Sequence, residues 1–208
     1  MCGRYSFDAE IDLLIAAWRL QTQSPSYERN TDVRPTQNAP VLLPDGQLRL
    51  LRWGFQPAFA KQPLINARSE TVMEKPTFRE AFSRRRCIIP ATGFYEWKTT
   101  EAAKEKHLFE TREPFVALAG LWEVFTIDET AIPCFTILTT QASDQMDGIH
   151  DRMPVLLSEE QRAVYLDHYR FTKSDWDQIR AQADTRLRHA AVEWPVLGAR
   201  LRDQPGRP

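Results

Sequence analysis

Apolar positions between residues 9 and 20 recur at helical spacing (Ile11, Leu14, Ile15, Trp18), which predicts an amphipathic helix capped by Asp8 or Ser6. "VLLPDGQLRLLRWG" sets two apolar runs on either side of Asp45-Gly46, a turn signal, and predicts a hairpin. "TFREAFSRRR" predicts a short helix that starts at Thr77, after Pro76, and ends in a basic turn. From 87 to 142 the stretches "CIIPATGFYEW", "HLFE", "FVALAGLWEVF" and "CFTILTTQA" read as strands, spaced as in an antiparallel sheet or barrel. "SEEQRAVYLDHY" opens with a capping box, Ser158 to Gln161, and "SDWDQIRAQA" predicts a helix from Ser174. "RLRDQPGRP" has the composition of a frayed end. No internal repeat or low-complexity tract interrupts the pattern. The expectation is an α+β fold, one strand-rich domain over residues 1–198 with peripheral helices and a flexible tail over 199–208.

Composition changes this picture in three ways. With 208 residues, 42% of them hydrophobic, the chain can bury a substantial core. A net charge of −1 builds in no bulk attraction to a polyanion, so a nucleic-acid surface would have to be a local patch. Of the 27 basic residues 21 are Arg, whose rigid fork matches phosphate oxygens, although a GC-rich genome gives the same bias. Three cysteines (Cys2, Cys87, Cys134), odd in number and without a C-x-x-C, indicate neither a zinc ribbon nor a disulfide framework. No stretch resembles a signal peptide, and none approaches the roughly 18 apolar residues of a membrane span. A cytoplasmic protein with free thiols is expected.

Candidate chemistry begins at "MCGRY". Removal of Met1 before a small residue would leave an α-amine and a thiol together on Cys2. Three further stretches place polar side chains at strand ends or loops: "LINARSET" (Asn66), "GFYEWK" (Glu96) and "GIHDRMP" (His150). Each has an ordinary alternative. Asn66 suits a turn or cap, Glu96 between Tyr95 and Trp97 suits the solvent face of a strand, and His150 suits a loop ion pair with Asp151.

Taken in order, "MCGRY", "RWGF.P", "INARSET", "CIIPATGFYEW" and "IHDRMP" resemble the SOS response-associated peptidase (SRAP) family, whose members cross-link to abasic sites in single-stranded DNA. The matches run from Cys2 to about Pro154. The resemblance implies a barrel-like antiparallel sheet with a positively charged cleft. It makes Cys2 the covalent nucleophile, with Asn66, Glu96 and His150 around it, and Arg4, Arg34, Arg52, Trp53, Arg68 and Arg152 as candidates for DNA contact. Two departures stand out. "DVRPT" replaces the family's "N-x-A-P-T", introducing Asp32 and Arg34, and the similarity fades past Ser158.

The expected partner is single-stranded DNA carrying abasic sites, bound by a monomer with no metal and no small-molecule cofactor, and associated with the nucleoid when on DNA. The expected product is a thiazolidine cross-link through Cys2 after Met1 is removed. The family's name also carries an alternative, a cysteine peptidase using Cys2 and His150, and hence the terms hydrolase and protease; lyase is a further family term. A third possibility is a single-strand binding module with no covalent step. A zinc site built from Cys2, Glu96 and His150 is not expected, since no ligand pair has local spacing.

Overall fold

Two largely antiparallel sheets, four α-helices and one 3-10 turn make up the computed structural model, which describes residues 2–181 and 187–192. The expected tail over 199–208 lies outside the described residues. The first sheet contains β1 (Arg4–Phe7), β2 (Asn30–Val33), β7 (Gly93–Thr99), β8 (Lys104–Glu110) and β12 (Arg188–Val192), in the order β12-β8-β7-β1-β2. The second contains β3 (Asn38–Leu42), β4 (Leu48–Trp53), β5 (Asn66–Arg68), β6 (Arg86–Ala91), β9 (Val116–Ile127), β10 (Thr130–Gln141) and β11 (Arg152–Pro154). Its path β10-β4-β3-β6-β9 closes through a β9–β10 pairing, which makes a ring of five strands and leaves the sheet barrel-like. The fold is therefore α+β, as the patterning and the resemblance both imply.

The ring depends on β10. One edge pairs antiparallel with β9 over Thr130–Ile137 and then with β11 over Thr139–Gln141. The other edge pairs in parallel, with β4 at Cys134–Phe135 and with β5 at Ile137–Thr139. The β9–β10 hairpin turns on Asp128 and Glu129, both with positive φ (48° and 63°), the conformation that matches strand twist in a two-residue turn. The β3–β4 hairpin forms around Asp45-Gly46, where Gly46 takes φ 78°.

"CIIPATGFYEW" is not one strand. It breaks at Thr92, whose N–H donates to Ser6 O (2.7 Å), so β6 ends in the ring and β7 starts in the other sheet. This switch carries Glu96 from one sheet to the other. One buried cluster contains residues of both sheets, among them Tyr5, Trp53, Ile89, Phe94 and Phe135.

The helices lie outside the ring: α1 (Ile11–Trp18), α2 (Pro76–Arg84), α3 (Glu159–Leu166) and α4 (Lys173–Ala181). Neither Asp8 nor Ser6 caps α1. The N-cap is Glu10 with no side-chain bond, while Ser6 is a β1 residue whose hydroxyl accepts from Thr92 Oγ1 (3.0 Å). Helix α2 begins at Pro76, which suits N1 because its missing N–H needs no partner there. The Ser158–Gln161 capping box forms as expected. Helix α4 starts one residue before Ser174, where Thr172 and Asp175 exchange reciprocal bonds: Asp175 N–H to Thr172 Oγ1 (3.2 Å) and Thr172 N–H to Asp175 Oδ2 (2.7 Å). No helix among the described residues is long and apolar enough to cross a membrane.

Candidate active site

Strands of both sheets bring the four reactive candidates together. Cys2 sits just before β1 and is fully buried, its Sγ donating to Arg4 O at 3.7 Å. Burial, followed by the nearby carboxylate of Glu96, pushes the thiol far above its usual range. Asn66 opens β5 and donates from Nδ2 to Cys2 O at 2.8 Å. Its Oδ1 is buried and accepts no hydrogen bond among the described residues, which leaves an oriented acceptor at the start of the chain.

Glu96 lies one residue beyond the Arg4–Tyr95 pairing of β1 and β7 and is 2% exposed. It does not face solvent. Burial raises its pKa from 4.5 to about 7, a value suited to donating and accepting a proton near neutrality. His150 precedes β11 and brings Nε2 to 3.9 Å from Glu96 Oε2. Its Nδ1 accepts from the Arg152 N–H at 2.9 Å, so the neutral ring carries its proton on Nε2, towards Glu96. Burial lowers the His150 pKa and favours that neutral form. Asp151 Oδ1 is also 2.9 Å from Nδ1, a hydrogen bond that only a ring protonated on Nδ1 would make.

The DNA-contact candidates divide. Arg68 follows Asn66 by two residues on β5, so the two project to the same face, and Arg68 is exposed. Trp53 does not fit. It is fully buried, stacked on Phe135 (centroids 6.0 Å) and tilted against Tyr5 (5.1 Å), and its indole N–H donates to Ile65 O (3.0 Å). No base can reach it. Phe135 and Ile137 share one face of β10, where Trp53 and Asn66 pair with them. Arg52 pairs instead with Cys134 and projects to the opposite face, away from Asn66.

Arg4 and Arg34 converge on Asp32. Arg4 Nη1 donates to both carboxylate oxygens (2.8 and 2.7 Å), Arg34 Nη2 donates to Oδ2 (2.7 Å), and Lys106 Nζ stands 3.9 Å from Oδ1. Burial works to raise the Asp32 pKa, but the bonds from Arg4 and Arg34 outweigh it and hold the carboxyl low. Three cations thus surround one carboxylate on the first sheet. Arg152 is engaged by Glu70 in a two-point bridge, Nη1–Oε1 2.7 Å and Nη2–Oε2 3.0 Å.

Two residues next to these carry no signal in the sequence. Glu70 sits within "INARSE" but carries no pattern that singles out a carboxylate. Phe59 is 72% exposed in the loop of residues 56–63, which the Phe55–Leu64 bridge closes just before Asn66. A single aromatic residue in a loop gives no periodic signal. No group of three or more His, Cys, Asp or Glu side chains among the described residues could hold a metal ion.

Comparison with known proteins gives the family and the fold. The chain is 37% identical over 187 residues to the abasic site processing protein YoqW of Bacillus subtilis, covering 80% of each. It is 29% identical over 185 residues to the abasic site processing protein HMCES of Xenopus tropicalis, covering 69% of this chain and 55% of that one. A solved structure from Bacteroides thetaiotaomicron superposes with a TM-score of 0.81 at 23% identity over 92% of both chains, and one from Bordetella bronchiseptica with 0.75. The family described as SOS response associated peptidase (SRAP) matches residues 1–197, and the chain belongs to it.

Proposed function

We propose that the protein processes abasic sites in single-stranded DNA, joining them covalently to Cys2 once Met1 has been removed. The observation that carries this proposal is the meeting of Cys2, Asn66, Glu96 and His150, from four distant segments, around a buried carboxyl with a pKa of about 7.

The ring-opened abasic sugar presents an aldehyde at C1′. The α-amine of Cys2, with a reference pKa of about 7.7–8.0, is partly neutral at cytosolic pH and adds to it. Protonated Glu96 gives its proton to the carbinolamine hydroxyl, which leaves as water, and an iminium remains. The Cys2 sulfur then adds to C1′. Its proton passes to the Glu96 carboxylate, the iminium electron pair returns to nitrogen, and a thiazolidine closes. Glu96 ends as it began. Burial keeps the resting thiol protonated, and the carboxylate made in the first step is the base that releases it when the electrophile is in place. Because both nucleophiles sit on one residue, closure is intramolecular, an advantage on the order of 7–11 kcal/mol.

His150, neutral with a proton on Nε2, donates towards the sugar oxygen and favours the open aldehyde. Asn66 uses its Nδ2 on Cys2 O, and its unfilled Oδ1 accepts from the incoming amine or a sugar hydroxyl. Arg68 reaches a flanking phosphate, and Phe59 supplies the stacking surface that Trp53 cannot. The peptidase alternative finds less support: a Cys–His pair needs a lowered thiol pKa, and burial moves that of Cys2 the other way.

A denaturing gel with an abasic oligonucleotide tests the proposal. A heat- and SDS-stable band with the wild type, absent from Cys2→Ala, is expected. Cys2→Ser keeps the amine, so borohydride should trap its imine although no stable adduct accumulates. Equal heat-stable bands from wild type and Cys2→Ala would end the proposal.

A further inference from the structure

We infer that Asp32 limits how strongly the protein is held by undamaged DNA: its carboxylate competes with phosphates for Arg4 and Arg34, which leaves retention to the covalent step at the lesion. The inference rests on the proposed capture of abasic single strands and adds what keeps the protein from settling elsewhere.

Four adjacent strands of the first sheet build the cluster around this carboxylate. Asp32 lies on β2 and Arg4 opens β1. Tyr95 of β7 pairs with Arg4, and Lys106 of β8 lays its ammonium over the Tyr95 ring, 3.6 Å from the centroid. The reactive residues stand next to this row, since Cys2 Sγ donates to Arg4 O and Glu96 follows Tyr95. A strand with its abasic carbon at Cys2 carries its neighbouring phosphates past this end of the sheet.

The carboxylate takes the donors that a phosphate would use. Arg34 presents its Nε–Nη2 edge to Oδ2 (2.9 and 2.7 Å), the edge with which a guanidinium grips phosphate oxygens. Arg4 Nη1 spans both oxygens (2.8 and 2.7 Å). The competitor is also fixed by its own backbone: Asp32 N–H donates to Asn30 Oδ1 (2.9 Å), and Arg34 N–H donates to Gln37 Oε1 (2.8 Å). An ion pair as open to water as this one, with Arg34 56% exposed, contributes little to stability, so its effect falls on the charge offered to DNA. Three cations against one carboxylate leave two positive charges, and without Asp32 there would be three. Asp32 and Arg34 are the two residues by which "DVRPT" departs from the family's "N-x-A-P-T", so the carboxylate and the guanidinium that offsets it enter together.

Asp32→Asn keeps the shape and removes the charge. It should bind an undamaged single strand about fivefold more tightly at about 50 mM salt. Its slope of log affinity against log salt should be steeper by about 0.7, the share of one further phosphate contact. Asp32→Ala should tighten binding likewise. Asp32→Asn combined with Arg34→Ala restores the original excess of charge and should return the slope to that of wild type. In a competition with trace abasic oligonucleotide, undamaged strand should block adduct formation by Asp32→Asn at about one fifth of the concentration that wild type requires. Thermal melts check that each variant is folded. If the carboxylate instead holds the two guanidinium groups ready for phosphate, Asp32→Asn will bind more weakly with a shallower slope, and the inference fails. Unchanged affinity in both Asp32 variants would overturn it as well. Were the wild type to form no adduct, the abasic-site proposal would fall while the anisotropy series still decided the role of Asp32.

Discussion

In the proposed chemistry Glu96 faces two demands at once, since it would be protonated when the hydroxyl leaves and ionised when the thiol closes the ring. Its pKa of about 7 lies just below that of an α-amine, about 7.7–8.0. The amine must be neutral and the carboxyl protonated, so the rate of adduct formation should rise and then fall with pH, with a maximum between about 7 and 8. Glu96→Gln should slow the reaction by roughly 10²–10⁴ and remove the falling limb. The same shift sets a stability trend. A carboxyl whose folded pKa is raised stabilises the fold below its unfolded pKa of 4.5, and that contribution is lost as pH rises through about 7. Glu96→Gln should therefore gain thermal stability relative to wild type between pH 5 and 8, and a parallel pair of melting curves would contradict the buried carboxyl. The motif order made Cys2, Asn66, Glu96 and His150 legible as candidates. It could not show that Glu96 is buried or that Trp53 turns inward, because strand alternation allows either face and only the packing against Tyr5 and Phe135 decides it.

The elements that sequence made legible are those held by local interactions. The Ser158 capping box and the Asp45-Gly46 hairpin depend on residues a few positions apart, and both form. Ring closure was legible only through the family resemblance, since it rests on parallel pairings of β10 with strands some 70 to 80 residues earlier, which no periodicity encodes. The break at Thr92 is equally non-local, set by its bond to Ser6. Two element-level contacts carry stability predictions. Gly54, in the "RWGF" motif, takes φ 116°, and a Cβ there would meet Pro63 Cβ at 2.6 Å. Gly54→Ala should cost about 2 kcal/mol or more in urea unfolding. Arg86, 2% exposed, donates to Phe82 O and Ser83 O at the end of α2 and to Tyr165 O and Asp167 O at the end of α3, with Phe171 under its guanidinium at 4.0 Å. It joins two helix C-termini, where partial negative charge gathers. Arg86→Met should cost about 3 kcal/mol by leaving those carbonyls without a donor, and a melt within experimental error of wild type would remove the joint from the account.

Across the whole molecule the charge is nearly balanced, so DNA affinity has to come from one face. Arg68→Ala should weaken binding to undamaged single strands and reduce the slope of log affinity against log salt by about one. Phe59→Ala should weaken binding by about 1–3 kcal/mol with little change in slope, since stacking releases no counterions. Anisotropy across a salt series separates the two effects, and wild-type behaviour in both variants would move the DNA path away from the β5 edge. The central claim, that an α-amine and a thiol on one residue close a ring on the abasic carbon, is tested most directly by intact-mass spectrometry after incubation with an abasic oligonucleotide. The expected species is protein lacking Met1 plus oligonucleotide minus one water, stable to heat and absent when an uncleavable extension precedes Cys2. An extended protein that forms the same heat-stable adduct at the same rate would contradict the claim.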